Sequence, residues 1–163
     1  MKNLYVLLFL FLFIFILGCS QQDQGRITLQ RTGTTAIQTF EETGNDICTT
    51  PDGKPIIRMF STSWCPHCNW IRQTYKDTVN SYGDSIEAYL WEVDTNDDLL
   101  TPQHEPIPQT EMDIFTAYNP EGSIPTFIFG CTYLRVGNGY ESEDNLEAET
   151  NEFKAVIDNL LAQ

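Results

Sequence analysis

The spacing of apolar positions changes several times along the chain, and each change marks an element. Pro55-Ile56-Ile57-Arg58-Met59-Phe60 is a short, mostly apolar run, as expected of a strand covered on both faces. Cys68, Ile71, Tyr75, Val79 and Tyr82 then recur at three- and four-residue steps, which predicts a helix with one buried face that Gly83 can end. Ile86 to Val93 reads as a second buried strand through Ala88, Leu90, Trp91 and Val93. A strand, helix, strand order implies a parallel pair with a right-handed crossover. Asp94 to Thr110 is polar and broken by prolines, hence a loop; Glu111 to Tyr118 is a short helix stopped by Asn119-Pro120-Glu121-Gly122. Ile124 to Phe129 and Tyr133 to Val136 predict a hairpin, with the turn Gly137-Asn138-Gly139 beyond it. Asp144-Asn145-Leu146-Glu147 has the form of a capping box. Leu146, Phe153, Val156, Ile157 and Leu160 give the last helix one apolar face.

The N-terminal part follows a different pattern. Lys2 precedes an unbroken apolar run from Leu4 to Leu17, too short to span a bilayer comfortably but suited to the core of a secretory signal. Ile16-Leu17-Gly18-Cys19 resembles the lipobox of prokaryotic lipoproteins, in which the cysteine is acylated and becomes the first mature residue. An uncleaved anchor and simple secretion are the alternatives, and all three place the domain outside the cytoplasm. Residues 1–18 are thus expected to be a signal peptide and 19–46 a polar tether, with a short strand at Arg26 to Gln30 and a helical turn at Ala36 to Glu42. The folded domain is expected over 47–163, after the turn chemistry of Thr49 to Lys54 has been allowed for.

Composition narrows the partners. The 163 residues carry a net charge of −14, which becomes −15 when a signal containing Lys2 is removed. Such a surface repels nucleic acid and anionic lipid, and serves solubility or selects basic partners. Of the five cysteines, an acylated Cys19 leaves Cys48, Cys65, Cys68 and Cys131, an even number in a compartment where disulfides persist.

The chemistry concentrates at Ser63-Trp64-Cys65-Pro66-His67-Cys68, where the first strand turns into the first helix. Pro66 fits the first helical position, because its missing N–H costs nothing there. Cys65 falls at the cap, with unpaired backbone N–H groups pointing towards its sulfur, and the helix dipole together with a protonated His67 favours its thiolate. Cys65 is then the attacking sulfur. Cys68, one turn on and deeper, can attack a mixed disulfide and release the substrate. Rival uses of the pair are weak. Zinc would need two further ligands where only His67 and His104 are available, and covalent haem requires a histidine where Asn69 stands. The loop from Asp94 to Glu105 matches most acidic positions of a calcium loop, but Leu99 replaces its turn glycine and a strand precedes it, so a solvated acidic loop is expected. No metal and no cofactor are expected.

The element order, with Trp-Cys-x-x-Cys at the first strand-to-helix junction and Ile124-Pro125-Thr126 opening the third strand, resembles the thioredoxin superfamily over roughly residues 54 to 163. The resemblance implies an α/β fold with a central mixed four-stranded sheet and helices on both faces. It implies a cis peptide at Pro125 packed beside the two sulfurs, with the Ile124 backbone free to pair with an extended substrate and Trp64 as a wall of that site. Trp70 and Trp91 are read as packing. The fold also runs the strand from Pro125 antiparallel to the strand from Pro55, which brings Cys131 towards Cys48 and implies a structural disulfide between them. Two departures stand out. The family's buried acid, six residues before the first active cysteine, falls at Met59, and the central Pro66-His67 looks like that of Dsb-type disulfide oxidases, whose helical insertion has no room here.

The expectation is a monomeric, lipid-anchored thiol–disulfide oxidoreductase on the outer face of the cell membrane. It would exchange disulfides with cysteines of exported proteins and be recycled by a membrane redox partner, with either direction of electron flow open. The alternative is a binding module of the same fold whose disulfide never cycles.

Overall fold

The computed structural model describes residues 37–163. The expected signal peptide, Cys19, the strand at Arg26 to Gln30 and most of the tether lie outside these residues. Among the described residues no helix is long and apolar enough to cross a membrane.

The first strand of the sequence reading is β2 (Ile56–Ser61), buried over almost its whole length as its apolar run requires. Helix α1 (Pro66–Asn80) follows, then β3 (Glu87–Glu92), paired with β2 in parallel from Ile56 opposite Glu87 to Ser61 opposite Glu92. Helix α2 spans Gln109–Tyr118, and the hairpin is β5 (Thr126–Phe129) with β6 (Tyr133–Val136). Strand β5 lies antiparallel to β2, with Ile57 opposite Phe129. Helix α3 (Leu146–Leu161) closes the chain. Gly130 and Cys131 both take positive φ, 58° and 59°, in the tight connection of the hairpin. A side chain at Gly130 would also meet Leu160 at 2.6 Å, so glycine is required there on both counts.

Among the described residues the sheet has six strands rather than the expected four: with β1 (Glu41–Glu42) and β4 (Asp97–Asp98) the order is β1-β6-β5-β2-β3-β4. The additions are two-residue edge strands, β1 against β6 and β4 against β3. Neither carries any apolar alternation, so the hydrophobic pattern could not show them. The helical turn expected at Ala36 to Glu42 is likewise replaced, over the described residues, by a turn at Ile37–Phe40 and by β1. Fully buried Phe40 packs with its ring centre 5.1 Å from that of Phe129, so the packed domain begins before residue 47, inside the expected tether. The segment is also pinned by charge. Thr39 donates through its N–H and hydroxyl to the two carboxylate oxygens of Glu152, each at 2.7 Å. Buried Arg135 donates to Glu149 at 2.7 Å, and its guanidinium lies 4.6 Å from the ring centres of Phe40 and Phe127.

Alternation along the central strands divides the core. Ile57, Met59, Phe127 and Phe129 face α1 and α3, which pack together and contribute Ile71, Tyr75, Val79, Phe153, Val156 and Ile157. Phe60, Trp91 and Ile128 face α2, which contributes Phe115 and Tyr118. Helices therefore cover both faces, as expected. Arg58 is the charged residue of β2: it is buried, and Glu111 of α2 accepts from its Nε at 2.6 Å and its Nη2 at 2.9 Å.

Two local expectations are corrected. Asn145, not Asp144, caps α3, accepting from the Ala148 N–H at 3.0 Å, and Leu146 stays 39% exposed instead of joining the core. In the acidic loop, the carboxylates turn towards backbone amides: Asp97 accepts from Glu105 N–H at 2.9 Å and Asp98 from Leu90 N–H at 2.9 Å. His104 sits on its surface, 3.1 Å from Asp97.

Candidate active site

The site is built where β2 ends and α1 begins. Cys65 is the N-cap of α1 and Pro66, which has no N–H, occupies its first turn, so the cap sulfur takes its backbone donor from one turn on. The Cys68 N–H donates to Cys65 Sγ at 3.3 Å. Both cysteines are buried free thiols, Cys68 completely so. Burial, reinforced by a hydrogen bond with Cys65, pushes the Cys68 thiol up to about 12; the Thr62 amide and the Arg72 charge oppose the rise. The two sulfurs therefore differ in kind, with Cys65 at the helix cap receiving the Cys68 amide and Cys68 fully buried.

The hairpin supplies the opposite wall. The Ile124–Pro125 peptide is cis, and the Ile124 carbonyl oxygen lies 4.0 Å from Cys65 Sγ. Trp64 stands 70% exposed at the rim. Cys65, Cys68, Ile124 and Pro125 are thus gathered at one end of the sheet, with Trp64 beside them.

His67 points elsewhere. Its side chain is 61% exposed, and Nδ1 lies 2.9 Å from both oxygens of Glu141, so it faces a carboxylate rather than either sulfur. With a carboxylate on Nδ1, that nitrogen carries the proton. Asn138 completes a clasp, donating from Nδ2 to Glu141 Oε2 at 2.8 Å and to the His67 carbonyl at 2.9 Å. One turn further along α1, Trp70 Nε1 donates to Asp144 at 2.9 Å. The segment after β6 therefore grips the start of α1 at three points. The sequence shows no signal for this, because the partners lie more than 70 positions apart.

Behind Cys68 the strand beneath offers fully buried, apolar Met59. Polar groups approach from the side instead. Arg72, four residues after Cys68 on α1, donates from Nη2 to the Thr62 carbonyl at 3.1 Å and to Glu92 Oε1 at 3.0 Å, while Thr95 donates to Glu92 Oε2 at 2.8 Å. The spacing of Arg72 from Cys68 was visible in the sequence; the counter-ion on β3 was not.

Away from this end, Cys48 and Cys131 form a disulfide with a Cα–Cα distance of 5.3 Å. Cys48 N–H donates to the Gly130 carbonyl at 2.8 Å, and Ile56 N–H to the Cys48 carbonyl at 3.1 Å, so the bridge ties the segment before β2 to the hairpin turn.

A family model for the thioredoxin-like domain matches residues 47–154, which spans the site and both cysteine pairs. The chain belongs to the thioredoxin-like family. No match is found among curated proteins. Membership agrees with the mixed sheet, the three helices of the described residues and the cysteine pair at a strand-to-helix junction, and it makes disulfide chemistry the natural use of this thioredoxin-like site.

Proposed function

We propose that the protein is an extracytoplasmic thiol–disulfide oxidoreductase in which Cys65 exchanges with cysteines of exported proteins and Cys68 resolves the mixed disulfide. The observation that carries the reading is the inequality of the two thiols. Cys65 caps a helix and receives the Cys68 amide, whereas Cys68 is fully buried with its thiol raised to about 12. Trp64, Ile124 and Pro125 receive the substrate chain, and Pro66 and His67 shape the helix start that bears the thiolate. The apolar run before Cys19 supports a lipid-anchored protein on the outer face of the membrane, where a membrane redox partner recycles the pair.

Trapping tests this directly. With Cys68→Ser, Cys65 accumulates as a mixed disulfide with added substrate protein; with Cys65→Ser, little or none forms. Equal trapping by both variants, or by neither, contradicts the assignment and leaves a binding module of the same fold with an inert cysteine pair.

A further inference from the structure

In either direction of exchange Cys68 must carry negative charge. When the pair reduces a substrate, the Cys68 thiol gives its proton to water and the thiolate attacks Cys65 Sγ. The Cys65–Cys68 bond forms, the bond from Cys65 to the substrate sulfur breaks, and the electron pair leaves on the substrate thiolate, which solvent protonates. When the pair oxidises a substrate dithiol, the same step runs backwards and Cys68 is the leaving thiolate. A fully buried sulfur in the same apolar core cluster as Met59 is a poor place for that charge.

We propose that Arg72 is the group that lets Cys68 bear this charge, a buried-side cation serving in either direction of the exchange. The inference rests on the thiol–disulfide reading above. Residues four apart on a helix share a face, so the Arg72 stem starts beside Cys68. Its guanidinium, with the side chain 24% exposed, is fixed by the Thr62 carbonyl at 3.1 Å and Glu92 Oε1 at 3.0 Å. Thr62 is the residue whose amide also reaches Cys68. Arg72 Nε and Thr62 Oγ1 are buried with no protein partner among the described residues, so this corner keeps polar capacity that the reduced, uncharged thiol does not use. The charge of Arg72 also opposes the rise of the Cys68 thiol. The titratable and charged groups around that sulfur are Cys65 on its own helix, Arg72 one turn on, and Glu92 behind the guanidinium.

The test is a single turnover. The reduced full chain is treated with a chromogenic aromatic disulfide to load Cys65, and release of the aromatic thiolate as Cys68 attacks is timed. Arg72→Met slows release on the order of 3- to 10-fold, since an upward thiol shift of about one unit cuts the thiolate fraction tenfold while the greater basicity of the remaining thiolate raises its nucleophilicity and offsets part of the loss. Arg72→Lys restores most of the rate. Glu92→Gln breaks the same ion pair but removes the offsetting charge, and releases faster than the unsubstituted protein. Arg72→Met with Glu92→Gln, which strands no buried charge, stays folded and slow. Unchanged release in Arg72→Met or in the double variant overturns the inference, as does slowing by Glu92→Gln equal to that of Arg72→Met, which would mark the pair as merely structural. Absence of release from the unsubstituted protein overturns the parent reading instead.

Discussion

Cys65 and Cys68 are separated by one helical turn, and the difference in their surroundings is what the chemistry needs. The cap position gives Cys65 the Cys68 amide as donor, and full burial gives Cys68 a raised thiol; in the proposed exchange that burial would reserve Cys68 for a partner already attached to Cys65. The residue between them is less simple. His67 was read from the sequence as a cation aiding the thiolate, yet its Nδ1 faces Glu141, so any positive charge on the imidazole is shared with a carboxylate anchored by Asn138. Removing that carboxylate removes negative charge from beside the start of α1 whatever the state of His67. Glu141→Gln should therefore stabilise the thiolate form relative to the disulfide and make the potential of the pair less negative, by about 10 to 30 mV given the exposure of both partners. The shift should shrink in high salt. A more negative potential in Glu141→Gln would show that the clasp acts in another way.

Among elements, the strand-to-helix junction was the most legible part of the chain, because a buried strand, a helix period, a proline and a cap residue all agree there. The helix faces were equally plain: Ile71, Tyr75 and Val79 of α1, and Phe153, Val156 and Ile157 of α3, are buried as their spacing requires. Elements held by polar contacts were not legible. Strands β1 and β4 consist of acidic pairs, and Glu41–Glu42 gains its place because neighbouring Phe40 fills the core and Thr39 is held by Glu152. The docking of α2 on β2 is similar. Arg58 looks out of place in an apolar strand until Glu111 and the indole N–H of Trp91, 3.0 Å from Glu111 Oε2, complete the contact. Glu111→Ala leaves a buried guanidinium without its counter-ion and should cost about 3–5 kcal/mol in denaturant unfolding. Arg58→Met with Glu111→Leu should recover most of that loss. If the single variant costs under about 1 kcal/mol, the pair is a bystander to α2 docking.

For the whole molecule, the two cysteine pairs mark two ends of one sheet. Cys48–Cys131 fastens the entry to β2 onto the hairpin turn, while Cys65 and Cys68 remain free thiols where β2 leaves the sheet. This division was legible through the family resemblance, which implied a strand from Pro125 antiparallel to that from Pro55 and so brought Cys131 towards Cys48. The sequence carries a net charge of −14, and within the acidic loop the carboxylates of Asp97 and Asp98 are partly satisfied by backbone amides. What the sequence could not show is the network that frames the site, since Glu92, Asn138, Glu141 and Asp144 reach it from other elements. In the proposed function the site pair cycles while the distal bridge does not. Equilibrating the protein in a thiol buffer of stepped potential, with Trp64 fluorescence as reporter and alkylation mapped to each cysteine, tests it most directly. A single two-electron transition of Cys65 and Cys68 is expected between about −270 and −120 mV, with Cys48–Cys131 oxidised throughout. A folded domain whose Cys65 and Cys68 never equilibrate with the buffer, or whose transition belongs to Cys48 and Cys131, would contradict it.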